Sequence, residues 1–263
     1  MSYFKDKTFI VTGATSGIGR ATATLLAEEG ANVMAMARTR HKLRELRKEM
    51  NSKSFDVFPG DVSREHDVKK AVHQTSKTFD RIDGLIHNAG ISMRALADES
   101  DLKVFRQLME VNFYSMVYFY KYAHKHLVAS KGHLVGVSSM MGLYSTQLRS
   151  GYAASKHALQ GFLDSVRLEV ADEGVHVMTC SPGFVKTNIS VNALDAGGKS
   201  TGQMDDAIAA GLDPAEVAES ILNGIKHRKR DVYPAGLKEK TALLLSRLSP
   251  GMLDQVLLRT KVT

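Results

Sequence analysis

The turn TGATSGIG, Thr12 to Gly19, lies between a β-branched run and a helical one, and no other stretch limits the fold as much. Ahead of it, KTFIVT from Lys7 reads as a strand. Behind it, Ile18 to Glu29 carries helical apolar spacing at Ile18, Ala21, Leu25 and Leu26. Glycines at 13, 17 and 19 let the backbone come close to a pyrophosphate, while the helix N-terminus offers amide hydrogens and the positive end of its dipole. A glycine-rich turn is elsewhere often only a turn. The second strand that follows, NVMAMA from Asn32 to Ala37, gives this one the context of a dinucleotide site.

Strand and helix then keep alternating. FDVF from Phe55 runs into Gly60-Asp61-Val62, a helix carries Val68, Ala71, Val72 and Phe79, and GLIH from Gly84 runs into Asn88-Ala89-Gly90. Regular alternation implies a parallel sheet with helices on both faces, and 263 residues are enough for one such domain, 1–263. In these sheets ligands bind beyond the carboxyl ends of the strands, so Gly13, Arg38, Asp61 and Asn88 to Gly90 should line one edge. Arg38 stands where many dinucleotide folds carry a carboxylate for the ribose. Its planar fork suits the 2′-phosphate of NADP, as does Arg40, unless both merely cap the next helix.

A long helical stretch from about Asp101 to Ala129 contains Asn112 among apolar neighbours. A buried amide without partners costs about 1–3 kcal/mol, so it is expected to bond backbone or water at a distortion of the helix. The strand HLVGVSS from His133 delivers Ser138 and Ser139 to the same edge. G-x-S-x-G is absent, so a hydrogen bond to a substrate oxygen fits these serines better than nucleophilic attack. In the helix Gly151 to Asp172, Tyr152 and Lys156 stand at i and i+4 and point the same way. A nearby ammonium stabilises a phenolate and would bring the tyrosine toward neutrality as a proton donor or acceptor; a solvated surface pair is the plainer alternative.

The strand VHVMTC from Val175 contains the single cysteine, Cys180, expected to be a buried structural thiol. Residues 192–212 are polar and glycine-rich without clear period, either a lid over the site or a disordered surface insertion. Asp213-Pro214 opens another helix and DVY from Asp231 gives a last short strand. Residues 237–263 form a helical C-terminal extension, apparent as two amphipathic helices broken at Ser249-Pro250-Gly251, for which core or subunit packing is the expectation and closing the site or lying on a membrane the alternatives.

The net charge of +7 is spread along the chain apart from Lys226 to Arg230, and there is no tryptophan and no base-stacking motif, so no nucleic-acid partner is expected. Neither a membrane-length apolar run nor a leader peptide is seen, which makes the cytoplasm the expected location; the histidines lack ligand spacing, so no metal is expected. Met93, Met140, Met141, Tyr144, Gln147 and Leu148 would wall an apolar, adaptable substrate site.

In order along the chain, TGATSGIG, Asn88-Ala89-Gly90, Asn112, Ser139, Tyr152, Lys156 and Pro182-Gly183 resemble the TGxxxGxG, NAG, Asn-Ser-Tyr-Lys tetrad and PG turn of the short-chain dehydrogenase/reductases. NISVNAL and the tail around MLDQ further resemble that family's member-seven-like branch, some of whose members carry an N-terminal membrane segment not seen here. The resemblance implies a Rossmann-type doubly wound sheet of about seven strands in the order 3-2-1-4-5-6-7. It implies a small-molecule carbonyl or secondary-alcohol substrate, with NADP(H) preferred over NAD(H). Tyr152 would be the acid/base, Ser139 would hold the substrate oxygen, Lys156 would bind the nicotinamide ribose and depress the pKa of Tyr152, and Asn112 would hold a water that links Lys156 to solvent. Gly13, Thr15, Ser16, Gly17, Ile18, Gly19, Arg38, Asp61, Val62, Asn88, Ala89, Gly90, Tyr152, Lys156, Pro182, Gly183, Val185 and Thr187 would contact the cofactor, and Ser139, Met141, Tyr144, Gln147 and Tyr152 the substrate.

It further implies a homodimer or homotetramer, with Phe162, Val166 and Val170 as partner contacts as well as core. Two positions depart from the family pattern: Ser16, where NADP-dependent relatives often have a basic residue, and His87, where asparagine is common. Alternatives are a non-catalytic dinucleotide-binding regulator or scaffold, and a 3-oxoacyl thioester as substrate.

Overall fold

A computed structural model describes residues 2–259; the last residues of the expected C-terminal extension, 260–263, lie outside the described residues. Strands β1 (Thr8–Thr12), β2 (Asn32–Ala37), β3 (Phe55–Pro59), β4 (Gly84–His87), β5 (His133–Val137), β6 (His176–Cys180) and β7 (Asp231–Val232) form one sheet in the order β3-β2-β1-β4-β5-β6-β7. Every pairing is parallel. This is the expected strand order, and its reversal between β1 and β4 opens a crevice at their carboxyl ends.

The central strands are apolar on both faces because helices cover both. Along β1, Phe9 and Val11 enter one core and Ile10 the other; along β2, Val33, Ala35 and Ala37 face the first while Met34 and Met36 face the second. The first core is closed by α1 (Gly17–Glu28), α2 (Arg40–Met50) and α8 (Pro214–Lys226), through residues such as Leu26, Leu43 and Ile221. The second is closed by α3 (Glu65–Phe79), α5 (Ser115–Ser130) and α6 (Ser150–Glu169), through Val72, Phe119 and Leu163. Each such fully buried side chain contributes about 1.5–3 kcal/mol of burial free energy. Helix α8 begins with a complete capping box, Asp213 with Glu216, and proline at its first turn, so its start is fixed by local chemistry.

The long helix expected from Asp101 is divided. It runs as α4 (Leu102–Met109), then a π-helical turn (Glu110–Tyr114), then α5. Asn112 is the reason for the turn's usefulness: fully buried, it accepts from the Ile91 N–H and donates to the Ile91 carbonyl and the Ser155 hydroxyl. The distortion was expected at this residue, and its amide is satisfied there.

Residues 192–212 are neither periodic nor loose. Leu194 bridges Met93 and Ser200, its carbonyl accepts from the Arg94 N–H and its N–H donates to the Ser92 carbonyl, and a single-turn helix, α7 (Asp206–Ala209), follows Asp205. The surface-insertion alternative therefore fails. The tail forms the two expected helices, α9 (Leu237–Leu248) and α10 (Pro250–Arg259), but not packed as core: α9 has no buried residue, α10 has Leu253, and both lie over the crevice. Val166 and Val170 are each 1% exposed within the second core, so they are core and not partner contacts; Leu168, at 78%, is the large apolar side chain that α6 exposes. Among the described residues no helix is long and apolar enough to cross a membrane.

Candidate active site

The crevice at the carboxyl ends of β1, β4 and β5 has a volume of about 880 Å³. Its cofactor-side floor is stitched together by Thr12, the last residue of β1. The Thr12 hydroxyl accepts from the Asn88 and Ala89 N–H groups at 3.0 and 2.9 Å, and the Asn88 amide donates to the Thr12 carbonyl at 3.0 Å. Over this, Gly13 takes φ +67°, and a side chain there would begin 2.8 Å from the Asn88 amide. At Gly19 a side chain would begin 2.3 Å from that amide and 2.5 Å from the Gly13 carbonyl oxygen. Ser16 leaves the start of α1 without a side-chain cap, and Gly17 and Ile18 line the crevice beside it. A tight turn without side chains, delivering a helix N-terminus to the crevice, fits a pyrophosphate.

Across from the turn, Pro182, Gly183, Val185 and Thr187 line the crevice after β6, with the Thr187 methyl set over Gly17. Asn88, Ala89 and Gly90 complete this wall. Thr15 lies in the turn itself. Arg38 stands exposed just past β2, and Asp61 and Val62 just past β3, at the same sheet edge but outside the crevice wall. The Asp61 carboxylate accepts from the Ser63 N–H and hydroxyl at 3.0 and 2.8 Å.

The second half brings together the polar residues from β5 and α6. Ser139, Tyr152 and Lys156 line the crevice, and Asn112 lies just behind Gly90, with Lys156 beside it. The Lys156 ammonium donates to the Val137 carbonyl at 2.8 Å and stands 5.9 Å from the centre of the Tyr152 ring. Burial pushes Lys156 down to about 8. Burial pushes Tyr152 up, and the groups that pull it back are the Ser139 hydroxyl and Arg149. His87, the departure before Asn88, is buried against Ser115 and held neutral, its value pushed down to about 3 by burial and by Lys156. Cys180 is buried and its thiol is pushed up by burial, in keeping with a structural role.

The two serines separate. Both line the crevice, but Ser138 is tied down, donating to the Lys156 carbonyl and accepting from Gln160, while Ser139 caps the short turn Met140–Gly142 through the Met141 N–H. Among the expected substrate residues, Met141 and Tyr144 line the crevice; Gln147 is exposed away from it, and Thr146 takes that part of the wall. Leu148 is also outside the wall. Met93 is fully buried in a small cluster beneath Tyr152 with Val104, Leu108 and Leu194, so it supports the wall and does not form it.

Several lining residues were not foreseen from the sequence. Arg149 and Asp205 are buried at the wall near Tyr152, and Phe184, Leu237, Leu245 and Leu253 form its apolar outer part. A signal for Asp205 existed: an acidic residue opening the short helical run DAIA is an N-cap pattern, and its carboxylate does accept from the Ala207 N–H. The tail residues carried no such signal, because their apolar spacing is equally that of core helices.

The family model described as short chain dehydrogenase matches residues 7–196. The chain is 35% identical over 262 residues to dehydrogenase/reductase SDR family member 7B of Danio rerio, covering 96% of this chain and 85% of that protein. It is 32% identical over 253 residues to dehydrogenase/reductase SDR family protein 7-like of Drosophila melanogaster, covering 94% and 78%. Among solved structures it is similar to a short-chain dehydrogenase/reductase of unknown function from Caenorhabditis elegans crystallised with cofactor, with TM-score 0.78 and 29% identity over 89% of this chain and 95% of that one. A short-chain dehydrogenase/reductase from Burkholderia phymatum in complex with NAD shares the fold, with TM-score 0.85 and 20% identity over 100% and 98%.

Proposed function

The chain belongs to the short-chain dehydrogenase/reductase family of oxidoreductases, and from that premise we propose that it is an NADP(H)-dependent carbonyl reductase or alcohol dehydrogenase in which Tyr152 is the general acid/base. The observation that carries the reading is the convergence of Ser139, Tyr152 and Lys156 on one crevice, opposite a glycine turn shaped for a pyrophosphate.

In this reading the bound nicotinamide dinucleotide supplies or accepts the hydride. Gly13, Thr15, Ser16, Gly17, Ile18 and Gly19 hold its pyrophosphate, and Arg38 pairs with the 2′-phosphate through a bidentate fork. Asp61, Val62 and Asn88 to Gly90 border the adenosine and ribose side, while Pro182, Gly183, Val185 and Thr187 border the nicotinamide. Lys156 binds the ribose hydroxyls. The Ser139 hydroxyl donates to the substrate oxygen, Tyr152 gives that oxygen a proton in reduction and removes one in oxidation, and a water held by Asn112 links Lys156 to solvent as the proton's path. The NADP preference rests on Arg38, since Ser16 adds no charge there.

The substrate we propose is a lipophilic ketone or aldehyde. Met140, Met141, Tyr144, Phe184, Ile208 and Leu253 give the crevice apolar and adaptable walls, with residues 192–212 as its lid. A homodimer or homotetramer formed across the exposed face of α6 is part of the proposal, and Leu168 supports it.

The test is NADPH oxidation over a panel of ketones, aldehydes, quinones and a 3-oxoacyl thioester, alongside thermal shift by NADPH. Turnover of the lipophilic carbonyls is expected. Stabilisation by NADPH with no turnover anywhere on the panel would favour a dinucleotide-binding scaffold, and turnover confined to the thioester would replace the substrate class.

A further inference from the structure

Among the described residues, half of the large apolar side chains left exposed belong to the two tail helices, α9 and α10. On α9 they fall in register. Leu237, Leu244 and Leu248 are seven and four residues apart, so they lie within about 40° of one another around the helix, and they are 82%, 58% and 75% exposed. On one flank of this stripe are Thr241 and Leu245, which line the crevice. On the other, about 60–80° around, are the exposed cations Lys240 and Arg247. Helix α10 repeats the arrangement on a smaller scale. Met252 and Arg259, seven apart, are exposed on one face, next to the face whose Leu253 and Leu257 reach the crevice.

The acidic side chains of the tail are turned away from this surface. Glu239 reaches back to the chain after β6, where its carboxylate accepts from the Phe184 N–H at 3.4 Å. Asp254 stands on the side of α10 opposite Met252 and Arg259. What faces outward is therefore an apolar stripe with cations along its edge. Large apolar side chains gathered on a folded surface mark a binding site, and an apolar helix face edged by Lys and Arg suits the headgroup region of a bilayer. A second copy of the chain is the poorer occupant, since a two-fold contact through this face would set one net-cationic surface against an identical one.

We propose that the face formed by α9 and α10 docks peripherally on an anionic phospholipid surface. Leu237, Leu244, Leu248 and Met252 enter the headgroup region, and Lys240, Arg247 and Arg259 meet the lipid phosphates and carboxylates. Because Thr241 and Leu245 border the stripe, docking puts the crevice beside the lipid, and a lipophilic carbonyl would enter it without crossing water. That consequence alone rests on the substrate proposed above.

The experiment is co-sedimentation of the full chain with two kinds of vesicle, phosphatidylcholine alone and equal parts phosphatidylcholine and phosphatidylserine. Wild type is expected to pellet with the mixed vesicles, weakly with phosphatidylcholine, and less as salt is raised. Leu244→Ser combined with Leu248→Ser should lower the partition coefficient at least about 10-fold on both. Lys240→Gln combined with Arg247→Gln should lower it by about 10–30-fold on the mixed vesicles and leave it unchanged on phosphatidylcholine. Neither pair lines the crevice, so turnover of a water-soluble carbonyl should stay at the wild-type level. Wild type that remains in the supernatant with the mixed vesicles, or a leucine pair that binds as wild type does, overturns the proposal. A dimer in sedimentation velocity that the leucine pair abolishes gives the face to a second copy and overturns it too. Should the leucine pair fail to fold, undiminished binding by the Lys240→Gln and Arg247→Gln pair overturns it equally. Vesicle binding needs no turnover: binding by a protein that reduces no carbonyl would sink the oxidoreductase reading and leave docking standing, and turnover without binding would do the reverse.

Discussion

The two halves of the crevice are built in different ways. The cofactor half is made from strand ends: Thr12 binds Asn88 and Ala89 through backbone and hydroxyl, and the glycine turn rests on them with no space for a side chain. The substrate half is made from irregular chain, the 192–212 segment and helices α9 and α10, held by isolated bridges, a buried ion cluster and apolar contacts. One half is therefore rigid and tied to the sheet's own hydrogen bonding. The other is chain that lies outside the sheet's hydrogen bonding.

Substitutions that respect one half and damage the other test this division. The largest effect is expected from Gly19→Val. Its side chain would meet the Asn88 amide and the Gly13 carbonyl, so the turn must deform at an overpacking cost of about 1–3 kcal/mol. NADPH binding, followed by fluorescence titration, should fall by at least about 100-fold on loss of the pyrophosphate cradle. Next is Arg38→Asp, expected to weaken NADPH by roughly 10–100-fold, the worth of a charge-assisted phosphate contact, and NADH far less. Equal losses for both would remove the 2′-phosphate from the account. The smallest is Leu253→Ala in the cover, where KM for a large lipophilic carbonyl should rise several-fold, about 1 kcal/mol, with NADPH affinity unchanged. A fall in NADPH affinity in that variant would show that the halves are not independent.

The same division explains what could be seen in the sequence. The sheet order, the helix at Asp213-Pro214 and the convergence of strand-end residues follow from period, capping and the parallel-sheet rule, all local signals. Asn112 also announced itself, because an amide in an apolar helix must find partners, and the π-helical turn supplies them. Arg149 and Asp205 were missed since their pairing spans 56 residues and depends on how the 192–212 segment folds back. Leu253 was read as core packing, because an amphipathic helix over an apolar crevice has the same spacing as one over a core. The i,i+4 spacing of Tyr152 and Lys156 puts both on the crevice, but says nothing of the Val137 carbonyl that also accepts from the ammonium.

The most direct test of the central claim is Tyr152→Phe, measured for both turnover and NADPH binding. The substitution keeps the ring, which is 6% exposed, and removes the hydroxyl proposed to move the proton. Turnover of the best carbonyl substrate should fall by about 10²–10⁴-fold, the range of general acid/base catalysis, with NADPH affinity retained. Turnover close to wild type would contradict the account.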